Sequence, residues 1–395
     1  MNFIFDIINL QFIVSVTFLA IAYFMRKEPL KVFLLYCHIL VIFLLNDVLF
    51  PASYMSDQFR YVKISQEFRD FSLQSEQLYS TLGFSSLLFS LTPLPFINSV
   101  HSIAMINFMI FLLVFFLIKK FNMSSIKVDY FYLIFPSLLL YSSLALRDML
   151  VLFFMFISVN TLLTKERIFL SLVFGSPLIL LKFQNYLMFV VGLILYFYLK
   201  NAGRWRYFFL GSFVFLAAFI PEKVPFVNQL YEKIEWWRFA LFADQYSYNW
   251  DVIDKMKQYY EPLGTGFILL YQIFKFFIYM LLKPLIWEAG NPFQLIQSLE
   301  NMIIFAMIIW INWKKVVHEK VRQKILFLNC LLFVSMTING LVVFNFGSAV
   351  RYKFPFIVIY FIYFFYFLKS DELYVSQAKA AWNGDFPTRQ VLPIR

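Results

Sequence analysis

The sequence predicts an all-α, polytopic integral membrane protein, and three observations predict it. Of the 395 residues, 61% are hydrophobic and 22% aromatic, while only 14% are charged; mean hydropathy is +0.72. Apolar stretches of about twenty residues recur along the chain, each long enough at ~1.5 Å per residue to cross a ~30 Å hydrocarbon core. Lys and Arg gather in alternate turns between those stretches, the asymmetry that orients membrane spans. A soluble domain does not carry 54 Phe and 24 Tyr at this charge density. The net charge of +11 follows from span orientation and does not point to nucleic acid. Cys37 and Cys330 each lie inside an apolar run, which indicates neither a disulfide framework nor a metal site.

Residues Phe3–Met25 form the first expected span; they lack a basic leader and a small-residue cleavage site. Val32–Phe50 is the second. Residues 51–96 form a long polar loop in which apolar and polar residues alternate at near-helical spacing, the pattern of interfacial helices. Ile97–Ile118 spans again and stops at Lys119-Lys120. Next comes Arg147-Asp148, an ion pair in a largely apolar stretch of 35 residues, with 17 residues before it and 16 after it to the next charge. It reads as the tip of a helical hairpin, and a charged pair in a membrane segment is a functional candidate by default. Ile168–Leu181 and Tyr186–Leu199 form a second hairpin that breaks at Lys182-Phe-Gln-Asn185, and Tyr207–Ile220 crosses back.

Residues 221–264 form the second polar loop. Its Trp236, Trp237, Tyr246, Tyr248 and Trp250 suit headgroup-level anchoring. Phe267–Trp287 is expected to be re-entrant or interfacial, because a full crossing there would put the basic Lys314–Lys324 cluster on the wrong side. Leu295–Trp313, Ile325–Phe344 and Phe354–Leu368 complete about eleven spans in one transmembrane domain, residues 1–369. A polar tail, 370–395, follows. This topology puts the N-terminus outside, the C-terminus in the cytoplasm, and 20 of the 34 Lys and Arg in short cytoplasmic segments.

The remaining unusual polar groups then collect on the outer face. Arg147, Lys182 and Arg351 each sit at a tip between spans, against the usual charge bias, and forked Arg donors match phosphate oxygens. Lys353 is expected only to snorkel to the surface. Asp148 can neutralise Arg147, and Glu300 can pack between helices. Of three histidines only His101, which begins a span near the outer side, is placed to act as a base. No Walker loop, GxGxxG, metal-ligand spacing or nucleophile elbow occurs.

Four segments carry a family resemblance: Asp57-Gln-Phe-Arg60-Tyr61; Leu146-Arg147-Asp148; Lys283-Pro-Leu-Ile-Trp287-Glu288-Ala-Gly-Asn291 with Ser298-Leu-Glu300-Asn301; and Gly347-Ser-Ala-Val-Arg351-Tyr352-Lys353-Phe-Pro355. Together they cover under a tenth of the chain. With them the sequence resembles Wzy-type repeat-unit polymerases and their EpsG-like relatives, within the GT-C-type membrane glycosyltransferases. Paired Arg-rich motifs in both long loops, seen in some members, are not found.

The resemblance implies glycan transfer from a polyprenyl diphosphate in the bacterial inner membrane, building O-antigen or capsule without a nucleotide sugar, metal or other cofactor. It implies partners in a polyprenyl-diphosphate-linked oligosaccharide, membrane lipid, a chain-length regulator and a flippase. Arg147 and Arg351 are then expected at the diphosphate, with Asp57 and Glu288 as candidate bases. Arg60, Asp148, Lys182, Asn185, Arg238, Asn291 and Tyr352 are expected to contact substrate. Two alternatives fit the same inventory. One is a transferase that uses a polyprenyl-phosphate sugar, which Asp57 in the first outer loop suits. The other is a lipid-linked glycan transporter, which would favour internal symmetry.

Overall fold

The computed structural model describes residues 2–24, 28–49, 57–72, 80–201, 211, 225–244, 253, 255, 260–313, 318–343 and 346–382. Among them there are helices and no strand. Among the described residues eight helices are long and apolar enough to cross a membrane, which makes the chain a multi-pass membrane protein in architecture.

Helix α1 (Asn2–Phe24) is followed by α2 (Pro29–Phe43), with proline at its start and a π-helical extension over Leu44–Leu49. The first polar loop holds α3 (Asp57–Arg69) and α4 (Thr81–Ser90), packed on each other. Arg69 donates to the carbonyls of Ser90, Thr92 and Pro95 at 3.2, 2.9 and 3.2 Å, satisfying the C-terminal end of α4. Helix α5 (Val100–Lys120) starts at Ser99, whose hydroxyl accepts from the Ser102 amide.

The arm leading to Arg147 was expected as one continuous helix. It is two, α6 (Ile126–Ile134) and α7 (Pro136–Ser142), because Pro136 forces Phe135 out of helical geometry. Helices α8 (Asp148–Lys165) and α9 (Ile168–Gly175) meet through small residues, with Ser158 and Ser171 each donating to the other's carbonyl at 2.7 Å.

Helix α10 (Pro177–Asn201) is interrupted at Lys182, whose backbone is extended (φ −161°, ψ 81°). A Cβ on Gly175 would lie 3.4 Å from the Tyr186 ring. Eleven residues of straight helix would span about 16 Å, so the chain bends between Gly175 and Tyr186, with a kink at Lys182. Helices α11 (Pro225–Asp244), α12 (Phe267–Leu282), α13 (Pro292–Trp313), α14 (Glu319–Val342) and α15 (Phe346–Trp382) follow. The polar tail expected after Lys369 continues α15 as far as Trp382, and residues 383–395 lie outside the described residues.

Three differences separate eleven expected spans from eight. The first Arg147 arm is two short helices, residues 168–201 hold one long run instead of two, and most of Tyr207–Ile220 lies outside the described residues. At 16 residues, α12 is shorter than a full crossing.

The chain divides into two compact units. One comprises residues 1–187, 316–321 and 355–395. Its core is the aromatic face of α5, where Phe111 and Phe115 stack on Tyr132 at 4.7 and 5.6 Å, together with the second half of α15, where Phe361 lies 5.4 Å from Phe131. Tyr363 donates to Asn160 at 3.1 Å. The other unit comprises residues 188–315 and 322–354. Close backbone approach is built into it: Gly192 faces the Leu331 backbone, and Gly340 faces the Phe276 carbonyl so closely that a side chain there would displace α12.

Candidate functional site

The turn from Ser143 to Arg147 is buried up to Leu146, so its backbone groups need partners from within the protein. Three elements supply them. Asn46 donates to the Ser143 carbonyl at 2.9 Å, and Asn107 to the Leu144 and Leu146 carbonyls at 2.6 Å each. The Ala145 amide donates to the Gln58 side chain at 2.7 Å. The extension of α2, helix α3 and helix α5 therefore fix one short turn, and that turn delivers Arg147 to the N-terminus of α8.

Asp148, the first residue of α8, is fully buried. The Lys182 ammonium lies 3.7 Å from its Oδ1, and Lys182 is itself only 5% exposed. Lys182 was expected at a tip between spans; it is instead buried against Asp148, at a kink in α10. Asn185, one turn further on, is buried with its Nδ2 3.8 Å from the Met155 sulfur and no hydrogen bond to its Oδ1. Arg147 is half-buried, and its Nε is shielded from solvent without a hydrogen-bond partner. Two cations and one carboxylate thus sit at the positive end of an 18-residue helix. Such an arrangement favours an anion.

A second cluster lies in the same unit. His101, in the first turn of α5, bridges two carboxylates, with Nδ1 3.5 Å from Asp6 and Nε2 2.8 Å from Asp47. The Ser99 hydroxyl donates to Asp6 at 2.5 Å, and Phe43 stacks on the imidazole at 5.1 Å. The Asp47 side chain is 52% exposed, so the cluster opens to its surroundings. Asn46 and Asn107 connect it to the Arg147 turn. Asn46 adjoins Asp47 in sequence, and Asn107 follows His101 by about 9 Å of helix. Sequence reasoning noted His101 and missed both partners. The available signal was that Asp6, Asp47 and His101 fall at corresponding ends of the first three spans.

The other expected residues are dispersed. Asp57 and Arg60 face each other at 3.9 Å in the first turn of α3, both substantially exposed. Arg351 and Tyr352 are half-buried near the start of α15, in the unit that does not contain Arg147 and Lys182. Glu288 closes the tight turn after α12, 3.2 Å from Lys283 and accepting the Leu285 amide at 3.0 Å. Asn291 caps α13 by accepting the Gln294 amide at 2.9 Å.

Arg238, expected on an open loop, is fully buried on α11. It donates to the Glu261 carbonyl at 2.7 Å and to the Leu341 carbonyl, and its guanidinium lies over the Phe276 ring. Nearby, burial together with Glu235 pushes the Tyr260 phenol well above its ordinary range. Lys353, expected to snorkel outward, is instead 2% exposed. It donates to Asn301 at 2.6 Å and to the Met280 carbonyl at 3.2 Å, capping the end of α12.

Trp236 and Trp237 are exposed on α11; Tyr246, Tyr248 and Trp250 lie outside the described residues. Among the described residues no group of three or more His, Cys, Asp or Glu is arranged to hold a metal ion. Comparison of the chain with protein-family models, curated proteins and solved structures yields no match to any of the three.

Proposed function

We propose that this protein is a membrane glycosyltransferase that joins polyprenyl-diphosphate-linked oligosaccharide repeat units into a surface polysaccharide, O-antigen or capsule. In this reading it sits in the bacterial inner membrane with the Arg147 end facing out. One observation carries the reading: the Arg147 guanidinium, with Nε shielded and unbonded, at the N-terminus of α8 beside buried Lys182. Fixed positive charge away from water is what a departing diphosphate needs.

The chemistry is a displacement at a sugar carbon. The acceptor hydroxyl oxygen bonds to the anomeric carbon as the bond from that carbon to the lipid diphosphate oxygen breaks. The lipid diphosphate leaves with the electron pair. Arg147 binds the developing charge, with Lys182 and the α8 dipole behind it. The half-exposed Asp47 carboxylate takes the hydroxyl proton, and His101, held between Asp47 and Asp6, positions it.

The test is the purified chain in lipid vesicles, given a synthetic polyprenyl-diphosphate-linked oligosaccharide. A ladder of multiples of the repeat unit supports the proposal. A single-sugar product from a polyprenyl-phosphate sugar would instead favour the simpler transferase, for which half-exposed Asp57 is the candidate base. Movement of the intact donor across the bilayer without bond formation would favour a transporter.

A further inference from the structure

Far along α5 from His101, the same unit contains a second charged assembly. Lys31 lies 2.8 Å from Glu28 and 2.6 Å from Asp129, and Lys119 lies 2.9 and 3.0 Å from the same two carboxylates. Ser124 adds its hydroxyl to Asp129 at 2.8 Å. This closed knot ties the start of α2 to the end of α5 and the first turn of α6. Burial pushes the Glu28 carboxyl up, but the ammonium groups of Lys31 and Lys119 outweigh it and hold the group below its ordinary value.

Beside the knot is a cavity of about 450 Å³. Lys127 and Lys369 line it and are not part of the knot. Both side chains are exposed, and the hydrogen bond Lys369 makes is a 3.3 Å contact to the Ser124 carbonyl. The N-terminal turn of α6, capped by Ser125, forms another wall. Glu372 is the one acid at the cavity outside the knot. Four ammonium groups therefore face three carboxylates in and around the cavity, leaving a single positive charge for a ligand to neutralise.

Two further features identify the ligand class. The cavity lies where three membrane-crossing segments begin or end, at Pro29, Lys120 and Glu372, which is headgroup depth. Its remaining wall is apolar, made by Ile126, Phe365 and Leu368, and Ile126 is 74% exposed. A soluble anion has no use for that wall, whereas an acyl chain does.

We propose that this cavity binds the phosphodiester headgroup of an anionic membrane phospholipid, with Lys127, Lys369 and the α6 N-terminus on the phosphate and the acyl chains along Ile126 and Leu368. The site is independent of the glycosyl-transfer reading, because it uses none of the residues assigned there.

The test uses the delipidated full chain in detergent, with phosphatidylglycerol, phosphatidylcholine or inorganic phosphate added. Lipid adducts are counted by native mass spectrometry, and thermal melting is followed in parallel. Phosphatidylglycerol should be retained and should raise the melting temperature. Its affinity should fall at least tenfold in the Lys127→Glu/Lys369→Glu variant and by less in the Lys127→Gln/Lys369→Gln variant. Both variants should melt like the parent without lipid, since neither side chain belongs to the knot. Equal retention of phosphatidylcholine, or unchanged phosphatidylglycerol binding in the charge-reversed variant, would overturn the proposal. Protection by inorganic phosphate equal to that by lipid would also overturn it, and would reassign the cavity to a soluble phosphate compound.

Discussion

Truncating Arg147 to alanine should separate activity from stability. In the folded chain its Nε takes no hydrogen bond, so little internal bonding is lost with the side chain. The turn that carries it is held by Asn46, Gln58 and Asn107 through backbone groups, which the substitution leaves in place. The expected loss of stability is therefore within about 1 kcal/mol. If the guanidinium meets the leaving diphosphate, its removal should cost about 2.7–4 kcal/mol of transition-state stabilisation, or roughly 10²–10³ in rate.

Arg238→Ala is the internal control. That guanidinium is fully buried and bonded to two carbonyls, with Glu235 at 3.4 Å, so its loss should destabilise by about 3–5 kcal/mol. Melting in one detergent and the repeat-unit ladder from vesicles would be recorded for both variants. Arg147→Lys keeps the charge but not the fork and should recover part of the rate. A full ladder from Arg147→Ala, or melting as low as that of Arg238→Ala, would refute the assignment of Arg147 to the diphosphate.

Other perturbations follow from the same geometry. Lys353→Met should destabilise by about 3–5 kcal/mol, because it uncaps α12 and leaves the buried Glu300 without its neighbouring ammonium; adding Glu300→Gln should restore part of the melting temperature. His101→Asn and Asp47→Asn should each slow transfer by roughly 10²–10⁴ while leaving the melting temperature near that of the parent, so a ladder of normal rate would remove His101 from the mechanism. Glu28 has a folded-state pKa held below its ordinary 4.5, so its stabilisation is complete above that value and is lost as pH falls through the lower, folded one. Glu28→Gln should therefore melt lower at neutral pH and show a flatter acid limb; an unchanged acid limb would mean that the knot does not titrate as described.

Much of the architecture was legible in the sequence because a membrane span is a local property. Twenty apolar residues satisfy their own backbone as a helix, so α1, α5, α8, α13 and α14 follow from composition and length alone. The break at Lys182 was legible from a polar interruption in an apolar run, but it is a kink within one long helix and not a turn between two spans. Proline 136 was visible as a residue, but breaking the arm there depends on neighbouring helices accommodating the freed backbone groups.

Side-chain roles were far less legible. A lone Lys in an apolar run reads the same whether it reaches solvent or a carboxylate, and the difference between Lys182, Lys353 and Lys369 lies entirely in residues distant along the chain. Lys182 finds Asp148, Lys353 finds Asn301 and the end of α12, and Lys369 borders an open cavity. The same holds for His101, whose partners come from the ends of two other helices. The sequence by itself determined a multi-pass helical protein with its charges at the span ends, because hydrophobic length is summed residue by residue. Only the tertiary structure decided which charges are neutralised and which remain available to a ligand, because in a low-dielectric interior that depends on contacts within a few ångströms.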